Sequence, residues 1–149
     1  LRTLSKAWAL AGLRCGVALA DPSVIQLLRK VIAPYPLPRP VVEEALYALS
    51  NKGFMTMQKR VATTIAERER VARALRDSPV VDTVYLSNAN FLLVRFKSEL
   101  EIMALASSAG IVLRSFSSEP ALKNCVRITI GNESENDLLL NVLCGGRRE

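Results

Sequence analysis

LRTLSKAWALAGLRCG, residues 1–16, is the stretch on which the reading of this sequence turns. Thr3 and Ser5 put two small hydroxyls next to Lys6, and Arg14 and Gly16 follow within the same short span. A lysine at the mouth of a helix can condense with an aldehyde cofactor. The hydroxyls and an arginine can hold a phosphate, and the planar fork of Arg suits that better than the point charge of Lys. Gly12 and Gly16 allow backbone to approach closely. The Ala- and Leu-rich positions 7–14 suit a short helix, and the apolar run Cys15–Ala20 suits a buried strand.

Downstream, Asp21-Pro22 reads as a helix start, with Asp as cap and Pro where no donor is needed. Val24, Ile25, Leu28 and Val31 then share a face. APYPLPRP (33–40) packs four prolines into eight residues and is an extended connector whose Pro40 opens a further helix, with Val42, Ala45, Leu46 and Leu49 inward. The longest helix spans Asn51 to about Arg76, stopped by Pro79. Strands follow at Val80–Leu86 and Phe91–Phe96, separated by the polar turn 87–90. Ser98 and Glu101 have capping-box spacing for a helix to about Ser108, ended by Gly110. Ile111–Arg114 is a short strand, 115–124 a polar loop and Val126–Ile130 a β-branched strand. Asn132 and Glu135 repeat the cap pattern before a last helix closed by Gly145-Gly146. The second half is therefore an α/β sandwich with helices over a mixed or antiparallel sheet. The first half has one convincing strand, which needs partners.

The whole is 149 residues, half hydrophobic and 23% charged, with 20 basic against 14 acidic side chains and a net charge of +6. That suits a globular chain of about one domain. The absence of histidine excludes a Ser-His-Asp triad, a Cys-His pair and any histidine metal site within this chain. Three cysteines (Cys15, Cys125, Cys144) without CxxC spacing indicate neither a disulfide framework nor a zinc site. No apolar run reaches the roughly 20 residues of a membrane span. The basic helix around Lys59–Arg76 is interrupted by Glu67 and Glu69 and lacks stacking aromatics, so it reads as a solvated face rather than a nucleic-acid surface. Trp8 reads as packed core, and Tyr35, between two prolines, carries no assigned chemistry.

Two more arginines stand out. Arg127 sits inside Val126-Arg127-Ile128-Thr129-Ile130, where a buried charge needs a partner and alternation equally allows the open face. Arg114 ends GIVLR beside the polar loop. On neighbouring strands two arginines can together form a dianion site, and on composition alone Arg114 equally reads as a surface arginine.

The pattern S/T-x-S-K followed by A-x-A-G-x-R-x-G resembles the lysine segment of fold-type I aminotransferases that use pyridoxal 5′-phosphate. LRTLSKAWALAGLRCG, VIAPYPLPRPV, ANFLLVRF, GIVLRSF and CVRITIG, in that order, are similar to the histidinol-phosphate aminotransferase family. The resemblance implies an α/β fold: the C-terminal portion of a fold-type I aminotransferase. Residues 1–50 would be the end of the large cofactor domain with its connector, and residues 51–149 the small domain. It implies Lys6 as the catalytic lysine that holds the cofactor, Thr3, Ser5 and Arg14 as ligands of its phosphate, and Arg114 and Arg127 as substrate-binding residues. Asn90 matches a position near the entrance of the family's site, or serves as a turn asparagine.

The implied activity interconverts L-histidinol phosphate and 2-oxoglutarate with imidazole acetol phosphate and L-glutamate. It belongs to a cytoplasmic homodimer without nucleic-acid or membrane partners. The aspartate that pairs with the cofactor's ring nitrogen has no match here and is expected upstream, so the 149 residues alone are expected to be inactive and to self-associate. Alternatives are the related threonine-phosphate decarboxylase of cobalamin synthesis, a basic nucleic-acid-binding module, and a non-catalytic interaction domain.

Overall fold

The computed structural model describes residues 1–145. Gly146, part of the predicted stop of the last helix, lies outside them. The chain divides into two compact units, Leu1–Val61 and the part beginning at Ala62.

In the first unit, β1 (Arg2–Thr3) pairs antiparallel with β2 (Gly16–Val17), Thr3 opposite Gly16. The helix predicted over 7–14 is absent: only a 3-10 turn forms, at Ala11–Leu13. Ala9 (φ 58°) and Arg14 (φ 53°) adopt left-handed backbone, which no right-handed helix accommodates. The loop is closed instead by Leu4 N–H to Cys15 O (3.3 Å) and Leu10 N–H to Leu4 O (3.1 Å). The predicted strand 15–20 shrinks to two residues because β1 offers only two to pair with.

Helix α1 (Pro22–Val31) starts as read: the Asp21 carboxylate accepts from Ser23 N–H at 2.8 Å and Ser23 Oγ at 2.6 Å, which hold its pKa down. Helix α2 (Arg39–Ala48) carries Pro40 in its first turn, and α3 spans Asn51–Arg76. The face of α2 expected to be inward is largely on the surface, with Val42, Leu46 and Leu49 exposed, and on the shared face of α1 Val24, Leu28 and Val31 are exposed as well. Trp8 is half-buried, its ring tilted against Phe54 at 6.1 Å.

The second unit is an antiparallel four-stranded sheet, not a mixed one, in the order β3-β4-β6-β5. These strands are β3 (Val81–Val84), β4 (Phe91–Phe96), β5 (Arg114–Ser115) and β6 (Cys125–Thr129). Helices α4 (Glu99–Ser108) and α5 (Glu133–Cys144), with the end of α3, supply the side chains that cover one face. Val71 and Leu75 of α3, Ile102 of α4, and Leu139 and Leu143 of α5 pack with Leu92, Val94, Phe96, Val126 and Ile128.

Strand β5 lies later than the predicted 111–114. Gly110 (φ 73°) ends α4 in the left-handed region that only glycine adopts without cost, and Ile111 N–H turns back to Ala106 O at 2.8 Å. Pairing therefore begins only at Arg114. Strand β3 is shorter than 80–86, with a register irregularity between Val81 and Thr83. The Ser98 cap of α4 forms only its serine arm, Glu101 N–H to Ser98 Oγ at 3.4 Å. The Asn132–Glu135 box of α5 forms both arms, at 2.9 and 2.8 Å.

α3 is tied to α5 by polar groups. Glu67 accepts both arms of the Arg70 fork (2.9 and 2.7 Å) and the amide of Asn136 (2.7 Å), while Arg70 also bridges Asp137 at 2.8 Å. Asn136, 1% exposed, bonds both the N–H and the carbonyl of Gly131 at 3.0 Å. These partners, Arg70 first and Asn136 second, hold the Glu67 carboxyl below the ordinary glutamate value of 4.5. A carboxylate with a lower pKa folded than unfolded adds stability above its unfolded value, and that share is lost as pH falls through the folded value. Acid unfolding followed by circular dichroism is accordingly expected to show a steeper loss below about pH 4.5 in the wild type than in Glu67→Gln. Glu67→Gln is also expected to be the less stable of the two at pH 7.

Candidate active site

Thr3, Ser5, Lys6 and Arg14 belong to the first unit, and Arg114 and Arg127 to the second. In the first, β1–β2 pairing makes Leu4–Cys15 a closed loop. Thr3 Oγ1 and Ser5 Oγ are 2.8 Å apart and hydrogen-bonded, and Ser5 N–H donates to Thr3 Oγ1 at 3.1 Å. Continuing the register past the Leu4–Cys15 bond puts Ser5 and Arg14 on opposite sides of the loop neck. Arg14 Nη1 donates to Ala11 O at 3.2 Å. Lys6 is exposed on the loop, its carbonyl accepting from Ala9 N–H at 2.9 Å.

Two non-glycine residues held left-handed in one short loop cost roughly 1–2 kcal/mol each. Such strain persists only where surrounding structure over-determines it. Gly16 is where backbones come close: a Cβ there would sit 3.0 Å from Arg2 O. Gly12, expected to share that role, has open space around it.

In the second unit, alternation along β6 sends Val126 and Ile128 into the core and Cys125, Arg127 and Thr129 to the opposite face. The strands pair Arg114 with Arg127 and Leu93 with Arg127, so the two arginines lie directly across from each other. Side chains at such positions start about 5 Å apart, and like charges there repel. Among the described residues neither arginine has a carboxylate within ion-pair distance. Each lies over an aromatic ring: Arg127 over Phe91 (5.3 Å to the centroid) and Arg114 over Phe116 (5.5 Å). The Arg127 Nε is buried without a hydrogen-bond partner.

The sequence reading missed Phe91, Phe116 and Arg95. Arg95 lies on the same face, over Tyr85 at 5.8 Å, and donates to Ala121 O at 3.2 Å. Phe116 stands two residues after Arg114, a spacing that could have flagged it. The pairing of Phe91 with Arg127 depends on register between strands far apart in sequence. Asn90, named for the entrance or for a turn, accepts at its carbonyl from Ile130 N–H at 3.0 Å and ends the turn before β4. Cys15 and Cys125 are buried and Cys144 is exposed, all as free thiols. Two surface cavities of about 340 and 350 Å3 in the second unit are lined by none of the predicted site residues.

The chain belongs to the aminotransferases of class I and II, on the match of a family model to nearly its whole length. Residues 1–143 match the family model of aminotransferases of class I and II. Among curated proteins the chain is 48% identical over 143 residues to histidinol-phosphate aminotransferase of Escherichia coli strain SMS-3-5, covering 96% of this chain and 40% of that protein. Its fold is similar to the histidinol-phosphate aminotransferase of Clostridium acetobutylicum, with a TM-score of 0.85 and 22% identity, over 97% of this chain and 44% of that one. It is likewise similar to the enzyme of Sinorhizobium meliloti, solved in complex with pyridoxal 5′-phosphate, with a TM-score of 0.79 and 29% identity, over 97% of this chain and 39% of that one. The chain thus spans about 40% of the length of the curated relatives it matches.

The closed loop generates a local expectation. Gly16→Val puts a branched side chain where even a Cβ meets Arg2 O at 3.0 Å. It is expected to part β1 from β2 and to speed exchange of the Leu4 amide proton by roughly 5-fold or more, the bond to Cys15 being worth about 1 kcal/mol. Hydrogen-exchange NMR reads this directly.

Proposed function

We propose that this chain carries the lysine, phosphate-binding and substrate-binding parts of a pyridoxal 5′-phosphate-dependent aminotransferase. Its substrates are L-histidinol phosphate and 2-oxoglutarate, its products imidazole acetol phosphate and L-glutamate. The observation that carries the reading is the segment Thr3–Cys15, the closed loop with the β1 residue that enters it. It collects two mutually bonded hydroxyls, a strained arginine and an exposed primary amine. That donor set fits a phosphate ester bearing an aldehyde: hydroxyls and guanidinium for the dianion, amine for the carbonyl.

In this reading Thr3, Ser5 and Arg14 hold the cofactor phosphate and Lys6 holds the cofactor itself. With the cofactor held there, the Lys6 amine would be the group that takes the proton from the amine-bearing carbon of the substrate. The cofactor, when bound, supplies the sink for the electron pair left on the α-carbon. Arg114 and Arg127 grip the anionic end of the substrate. Because two facing guanidinium groups accept either a phosphate or a carboxylate, one site serves both histidinol phosphate and glutamate in turn. Phe91 and Phe116 support the two guanidinium groups from beneath. A homodimer in the cytoplasm completes the reading, as the resemblance implies, and the 149 residues alone are expected to show no turnover.

The test joins this chain to the portion of the Escherichia coli relative that it lacks, loads the cofactor, and adds L-histidinol phosphate without a keto acid. Absorbance is expected to shift from the aldehyde to the amine form of the cofactor, and Lys6→Ala to abolish the shift. Arg127→Gln is expected to raise the substrate KM roughly 10- to 100-fold, a charge-assisted hydrogen bond being worth about 1.5–3 kcal/mol. Release of carbon dioxide from threonine phosphate, with no response to histidinol phosphate, would move the assignment to the decarboxylase.

A further inference from the structure

The geometry points to Glu99 as the positioning residue that holds Arg114 opposite Arg127, an inference that rests on the reading of those arginines as an anion clamp. The clamp has a mechanical weakness. Strand β5 is two residues long, and its pairing with β6 consists of Arg114 with Arg127 and Ser115 with Val126. One of those two pairs sets like charges against each other, which by itself drives the strands apart. Something outside the ladder has to hold β5 in register.

Ser115 supplies the attachment. Its hydroxyl donates to the Glu99 carboxylate and accepts from Ser117 N–H at 3.1 Å. Glu99, an acidic side chain, is only 7% exposed, and it is the first residue of α4. A carboxylate this buried keeps its place only with hydrogen-bond partners. The helix behind it is fixed by Ile102 and Ala106, 2% and 0% exposed.

A continuous path therefore runs from the core through α4 and Glu99 to Ser115, which is covalently next to Arg114. The Ser117 bond folds the chain around the same hydroxyl, and the residue so enclosed is Phe116, whose ring lies under Arg114. Glu99 thus sets both the register of Arg114 and the seat of its aromatic support, while the anion itself is met by Arg114 and Arg127.

The experiment uses the 149-residue chain and two readouts. Cross-strand NOEs between Arg114 and Arg127, without ligand, report the register. Titration with inorganic phosphate, followed on the Arg127 resonances, reports the clamp. Glu99→Leu and Ser115→Ala are each expected to erase the NOEs and weaken phosphate binding roughly 10-fold or more. The double variant is expected to be no worse than either single one, because both break the same bond. Glu99→Gln keeps an acceptor for Ser115 and is expected to stay within about 3-fold of wild type, a rescue that general loss of packing would not give.

Wild-type NOEs and phosphate affinity in Glu99→Leu or Ser115→Ala would overturn the inference. Should Glu99→Leu fail to fold, Ser115→Ala and Glu99→Gln decide it. A wild-type chain that ignores phosphate while its register still depends on Glu99 would overturn the clamp reading instead.

Discussion

Alternation along β6 is the constraint on which the second unit depends. With Val126 and Ile128 committed to the core, Arg127 has only the opposite face to occupy, and pairing with β5 then brings Arg114 across from it. A one-residue slip would bury the guanidinium and expose the valine and isoleucine, so the hydrophobic requirement of the core and the placement of the charge are one condition. The arrangement is unfavourable for the free protein, since two like charges face each other with no carboxylate between them among the described residues. An anion removes that cost. The aromatic rings beneath each guanidinium and the Glu99–Ser115 bond are what make the arrangement tolerable meanwhile.

The first unit shows a comparable tension in its backbone. Leu4–Cys15 could have formed the helix its alanines and leucines favour. Closure by β1 against β2, and the bond from Leu4 to Cys15, win over that propensity and leave Ala9 and Arg14 left-handed. Local preference yields to tertiary closure where Lys6 and Arg14 lie. Of the two strained positions in the loop, Arg14 is a candidate site residue and Ala9 lies between it and Lys6.

This also explains what was legible in the sequence. Helix starts at Asp21-Pro22 and Asn132–Glu135 follow from capping chemistry acting over three residues, and they appear as read. The long helix ends at Arg76, ahead of Pro79, for an equally local reason. Strand limits were less legible, because a strand exists only where a partner pairs with it. Ile111–Leu113 has strand composition, yet the glycine turn at Gly110 keeps it out of the ladder. Thr3, Ser5, Lys6 and Arg14 stood out because their spacing is compact. Phe91 under Arg127, and Glu99 bonded to Ser115, join positions brought together only by sheet register and helix docking. The apolar stripe of α2, expected inward, is largely exposed, since periodicity reports a stripe and not what covers it.

The central claim is that one pair of facing arginines takes the anionic end of the substrate while Lys6 serves the reacting carbon. A crystal structure of the chain, joined to the portion of its Escherichia coli relative that it lacks and soaked with cofactor and histidinol phosphate, tests it most directly. The account predicts substrate phosphate oxygens within hydrogen-bond distance of both Arg114 and Arg127, with the Lys6 nitrogen beside the substrate α-carbon. A substrate phosphate bound away from both arginines, or a Lys6 remote from the cofactor, would contradict it.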